Sequence, residues 1–129
     1  MSIAGGLHLA FTRIQEVRGE SLQIFLSNQR QWRTVPLTSQ MVEDFRQQWK
    51  ENGYMPVAAH DSYLINLAAP DPTTLEKSVV AFADELERAA ALEIPFLITH
   101  PGSHRGAGVE AGLERFVENM YRAIIRSKT

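Results

Sequence analysis

Residues 57–70 read VAAHDSYLINLAAP, a short apolar run closed by His60, and residues 96–106 read FLITHPGSHRG, a second such run closed by His100. The two histidines are 40 residues apart, an interval of about one strand–helix repeat. If the runs are neighbouring parallel strands, about 4.8 Å apart, both imidazoles emerge side by side at one end of a sheet. Two imidazoles so placed can share one metal ion.

Working outward, residues 22–26 form a third short apolar run, and all three read as buried strands. Four segments around them carry helical periodicity. Leu7, Phe11, Ile14 and Val17 recur at one face of the first; Met41 or Val42, Phe45 and Trp49 line the second, which Asn52-Gly53 should stop. The third, residues 74–92, presents Leu75, Val79, Phe82, Leu86 and Ala90, with Thr73 and Glu76 spaced as a capping box. The fourth carries Val109, Leu113, Phe116, Met120 and Ile124 on one stripe. The resulting order, αβαβαβα, predicts a parallel α/β sheet whose strand-exit loops share one rim, the usual place for a site.

Length and composition bound what that rim can do. With 129 residues, 44% hydrophobic and 22% charged, the chain suits one soluble domain. It contains no apolar run long enough to span a membrane, no signal-peptide pattern at MSIAGGLHLAF and no cysteine, which fits a cytoplasmic protein without disulfides or thiolate metal sites. A net charge of −2 argues against a generally basic nucleic-acid binder but is compatible with a local basic patch.

The rim loops supply candidates. A catalytic zinc needs about three protein ligands, so His60 and His100 need company; Asp61 and His104 are nearest, although Asp61, adjacent to a strand histidine, should face the other way and orient its neighbour. A histidine in such a loop can equally serve only to bond backbone. Arg30, Trp32 and Arg33 suit phosphate pairing and base stacking, or a loop packed on the next helix. Tyr63 and Leu64 suit an apolar wedge between bases, or a loop's private core. No nucleophile with an assigned base stands out.

At these residues the chain resembles the endonuclease IV family (apurinic/apyrimidinic endonuclease family 2), and specifically its N-terminal half. SIAGGL, QIFLSNQRQWRTVPL, HDSYLINLAAP, EKS and HPGSH match that family in order and spacing. The resemblance implies a partial TIM barrel of about three parallel strands and four helices. It also implies the family's activity, cleavage of the phosphodiester 5′ to abasic sites in DNA by a deoxyribonuclease IV-type hydrolase of base excision repair, using three zinc ions. On this resemblance His60 and His100 are metal ligands, while Arg30, Tyr63 and Leu64 are DNA-binding residues entering the minor groove at the lesion.

The chain departs from the family pattern in several ways. Complete barrels run to about 250 residues, so residues 1–129 are expected to form a single half-barrel domain lacking the first strand and the C-terminal half. The family's GxCxDTCH-like and HxNDS-like motifs, with every carboxylate ligand, do not occur in it, so the expectation is a truncated chain inactive alone. Met1-Ser2 stands where an Ala-His-Val-Ser strand would end. Because GTG encodes Val internally and Met at a start, Met1 is expected to mark a start inside a longer reading frame; an in-frame stop directly upstream would sink that idea.

Glu93 stands where the family usually has a glycine, implying roughly 1 kcal/mol of strain if the backbone there is left-handed. Open sheet edges predict self-association or a complementing chain. The rival readings are a sugar-isomerase-like metal-dependent TIM barrel and a non-enzymatic half-barrel interaction module. Bound zinc and nicking of abasic DNA separate them.

Overall fold

The computed structural model describes residues 1–129. Seven elements follow the expected order: α1 (Leu9–Glu16), β1 (Leu22–Phe25), α2 (Ser39–Glu51), β2 (Val57–His60), α3 (Pro72–Ala91), β3 (Leu97–Ile98) and α4 (Val109–Ser127). The strands form one parallel sheet in the order β1-β2-β3, with Phe25 level with His60 and His60 level with Ile98. This is an arc of a TIM barrel, three strands and four helices.

Strand alternation decides which side of the sheet is covered. Leu22, Ile24, Val57 and Ala59 point into a core shared with Phe11 of α1, Phe45 of α2 and Leu92 at the end of α3. Gln23, Phe25, Ala58 and Ile98 occupy the opposite face and remain partly or fully exposed. The runs expected to be buried strands are thus buried on one face only, because α1, α2 and α3 all pack on the same side of the sheet. A smaller core, with Ile65, Leu67, Val79, Phe82, Ala83 and Ala123, joins the loop after β2 to α3 and α4.

The helix ends show how local sequence sets the frame. At the end of α2, the Gly53 N–H bonds to the Lys50 carbonyl and the Tyr54 N–H to that of Trp49, with Gly53 at φ 68°, which bears out the Asn52-Gly53 stop. The start of α3 differs from expectation. Its cap is Asp71, whose carboxylate accepts the Thr74 N–H at 2.7 Å, and Pro72 occupies the first turn. The Thr73–Glu76 capping box does not form; Pro72 has the φ preset for a first helical position, and Glu76 instead pairs with Arg122 of α4 at 2.5 Å. Contacts from the Thr74 side chain and backbone hold the Asp71 carboxyl below the ordinary carboxylate range.

Two apolar stripes sit differently from their periodicity. Val17 is 66% exposed because α1 ends at Glu16, so the stripe stops at Ile14. On α4 the buried positions are Gly112, Asn119, Ala123 and Ser127; Ala123 packs on α3 with Phe116 and Met120 beside it, while Gly112 lies against His104 of the preceding loop. Leu113, Val117, Tyr121 and Ile125 are left more than half exposed. The packing of α4 on α3, rather than side-chain size, decides which face is covered.

Candidate metal and nucleic-acid site

His60 ends β2, and His100 follows β3 by two residues, on the sheet face the helices leave open. Their ring centroids are 5.0 Å apart. The juxtaposition expected from the 40-residue interval is therefore present. His60 is buried and His100 exposed, so the pair straddles the boundary between sheet and rim.

The His60 ring is held in a defined orientation. Its Nδ1 lies 2.9 Å from the Asp61 carbonyl oxygen and 3.4 Å from the Asp61 carboxylate. Both of these oxygens only accept, so Nδ1 carries the proton and the Nε2 lone pair is free. Such a tautomer is the one a metal ligand needs. Phe25 packs on the ring at a centroid distance of 5.5 Å, and Tyr63 stacks against both Phe25 (5.4 Å) and His60 (6.1 Å).

Asp61 lies within the fold with its carboxylate turned toward Thr99, whose hydroxyl donates to it at 2.6 Å. Burial, the largest influence, raises its carboxyl above the ordinary value, against the Thr99 hydrogen bond and the charges of His60 and His100. It orients His60 and ties β2 to the strand beyond. His104 is organised differently: its Nδ1 accepts the Gly106 and Gly108 N–H groups at 3.2 and 3.1 Å. It shapes the loop leading into α4. No three His, Cys, Asp or Glu side chains converge closely enough to hold a metal ion.

A residue that periodicity and ligand chemistry passed over braces the rim. Asn66 donates its amide to the Ser103 carbonyl at 3.0 Å, while its side-chain oxygen accepts the Ser103 and Ala68 N–H groups at 2.9 and 3.1 Å. The loop after His60 is thereby sewn to the loop after His100. Gly102, at φ 95°, lies so close that a Cβ there would fall 2.1 Å from the Asn66 amide oxygen. The position of Asn66 inside the HDSYLIN motif was the one available signal.

The other candidates gather on the same rim. Ser62 donates to the Gln29 carbonyl at 3.3 Å, joining the loop after β1 to the loop after β2. Arg30, Trp32 and Arg33 are exposed on the first loop, Tyr63 is 69% exposed on the second, and Leu64 is half-buried beside it. Arg30 has its N–H on the Asn28 side-chain oxygen at 3.0 Å, leaving the guanidinium free of any protein partner in the hydrogen-bond network. The rim therefore combines two close imidazoles, a cation and exposed aromatic surface.

Comparison with known proteins gives the family of the chain. The chain matches the "Xylose isomerase-like TIM barrel" family model over residues 11–128. It is 50% identical over 124 residues to a protein named "Probable endonuclease 4" from Chloroflexus aurantiacus, covering 96% of this chain and 44% of the relative. Against a like-named protein of Geobacter sulfurreducens the identity is 44%, with 96% and 42% covered. The crystal structure of endonuclease IV from Thermus thermophilus superimposes with a TM-score of 0.87 at 34% identity, over 100% of this chain and 46% of that one. A D-psicose 3-epimerase from Clostridium cellulolyticum shares the fold, with a TM-score of 0.67 at 16% identity. The chain spans less than half the length of these relatives. It belongs to the xylose isomerase-like TIM barrel family, and its resemblance within that family is to the endonuclease IV proteins.

Proposed function

We propose that this chain supplies the DNA-contacting rim and two of the metal ligands of an endonuclease IV-type site, as one half-barrel domain. The observation that carries the reading is the His60–His100 pair, 5.0 Å apart with the His60 tautomer set by Asp61. The donors fit zinc, since neutral imidazole is among its commonest ligands. Zinc held there would supply Lewis acidity toward a phosphodiester oxygen.

The chain's own residues do the rest. Asp61 and Phe25 fix the His60 ring, Asn66 fixes the His100 loop, and Arg30 meets a phosphate or groove edge as a cation. Tyr63 and Leu64 offer apolar surface to an unstacked abasic position, where the missing base lowers the cost of insertion. The substrate is duplex DNA with an abasic site, cut on its 5′ side. The exposed Arg30 and Tyr63 favour this over a sugar substrate, which needs an enclosed pocket.

Two donors do not complete a zinc cage. Further donors are needed for full activity, and the free edges of β1 and β3 are where additional strands carrying them would pair, in another copy or a complementing chain. No helix is long and apolar enough to cross a membrane, and the reading sets the protein in the cytoplasm.

The test uses cobalt(II) as a spectroscopic stand-in for zinc, with a duplex carrying a tetrahydrofuran abasic analogue. Wild-type protein should show cobalt absorption and bind the abasic duplex more tightly than the intact one. His60→Ala and His100→Ala should each abolish the cobalt signal, and Arg30→Ala should weaken DNA binding about tenfold or more, the loss of one charged contact. Equal affinity for both duplexes, or cobalt absorption surviving both histidine variants, would sink the proposal.

A further inference from the structure

The sheet-facing side of α3 carries three ionisable side chains, half-buried Asp84 and buried Glu85 and Arg88, that neither the sheet nor the metal pair uses. Glu85 and Arg88 are among the most buried ionisable groups, at 2% and 6% exposure. All three reach the same target, the loop between β1 and α2. Ser27 donates to the Glu85 carboxylate at 2.8 Å, Thr34 donates to Asp84 at 2.9 Å, and the Arg88 guanidinium donates to the Val35 carbonyl. Arg88 and Asp84 also pair with each other at 2.7 Å, so the last two straps share a fixed anchor.

The attachment points matter. Ser27 stands at the entrance of the loop and Thr34–Val35 near its exit, while the hydrogen bonds of these three side chains leave out residues 28–33, with Arg30, Trp32 and Arg33. Without its ends held, a loop of this length samples many conformations, and ordering it on contact would cost conformational entropy.

We propose that Asp84, Glu85 and Arg88 are positioning residues that clamp both ends of this loop to α3 and so present Arg30 to the nucleic acid already shaped. The inference rests on the reading of the rim as a DNA-contacting surface. Burial of ionisable groups at this point is costly and adds little net stability against an apolar alternative; orientation of the loop is what the three straps accomplish.

The loop carries its own reporters, because trypsin cleaves after Arg30 and Arg33, with exposed Arg105 as an internal control on a different loop. In full-length protein, Ser27→Ala/Thr34→Val removes two straps with little change in volume. Cleavage after Arg30 and Arg33, followed by mass spectrometry, should rise about tenfold or more, as expected for local opening after loss of such bonds. Cleavage after Arg105 and the thermal midpoint should stay near wild type. Glu85→Gln, which keeps an acceptor for Ser27, should resemble wild type, whereas Glu85→Ala should resemble the double variant.

The same proteins are then titrated with the tetrahydrofuran duplex, where the double variant should bind about tenfold more weakly. Unchanged cleavage after Arg30 and Arg33 overturns the clamp. So does faster cleavage with undiminished DNA affinity, which would show the loop needs no presentation. Failure of wild-type protein to bind the duplex would instead strike the functional reading, and with it the role assigned to the clamp, while the proteolysis still reports whether the straps hold the loop.

Discussion

Glu85 is the residue whose environment departs most from its chemistry. Burial pushes its carboxyl up to about 7, opposed by the Ser27 hydrogen bond and the Arg88 charge, and reinforced by Asp84 and Asp61. One of its oxygens is buried without a hydrogen-bond partner, which is where the proton of the neutral form is best accommodated. The folded state therefore holds this proton more tightly than the unfolded chain does. Its contribution to stability is complete below the unfolded value near 4.5 and is lost as pH rises through about 7. The full swing is on the order of 3 kcal/mol. Urea midpoints should be higher near about pH 5 than near about pH 8, and Glu85→Gln should flatten that slope. An equally steep slope in the variant would refute the assignment.

Among the elements, the end of α3 shows a local rule broken and its consequence. Glu93 is left-handed, φ 61°, in a helix-ending motif where its N–H bonds to Ala90 and the Ile94 N–H bonds to Ala89. Glycine is favoured there for lack of a Cβ. The Glu93 carboxylate pairs with Arg46 at 2.9 Å, but both side chains are well exposed and such a pair contributes little. Glu93→Gly should thus stabilise by about 0.5–1 kcal/mol, seen as a higher urea midpoint with unchanged m-value. Glu93→Ala, which keeps the strain and loses the pair, should be neutral or slightly destabilised.

Between β2 and β3 the Asn66 brace is expected to behave oppositely. Asn66→Ala leaves the buried Ala68 N–H without its partner and frees the exposed Ser103 N–H to water, and should cost about 1 kcal/mol. Faster hydrogen exchange at those two amides, with protection in α2 unchanged, would distinguish a local brace from a global loss.

The molecule as a whole presents surfaces that a finished fold would cover. β1 and β3 each have one unpaired edge, and Phe96, Leu113, Val117, Tyr121 and Ile125 are more than half exposed. Unpaired backbone beside exposed apolar side chains favours association. Sedimentation velocity should show a concentration-dependent species larger than a monomer, and Leu113→Glu/Tyr121→Lys should shift it toward monomer. A wild-type chain that stays monomeric at every concentration would oppose association through these edges.

The alternation of elements, the Asn52-Gly53 stop and the adjacency of His60 and His100 were all legible in the sequence, whereas the left-handed Glu93 entered only as a conditional drawn from the family resemblance. The first three depend on short-range rules: apolar periodicity, turn chemistry, and a repeat length that returns the chain to the neighbouring strand. The start of α3 was not, because Pro72 and Asp71 outcompete Thr73. The covered side of α4 could not be read either, since Ala123 is inward through its packing on α3 and Gly112 through its contact with His104. The Asn66 brace and the Asp84–Glu85–Arg88 clamp join residues some 37 to 58 positions apart. A hydrogen bond of that kind has no period along the chain, so only the tertiary structure decided which polar groups meet.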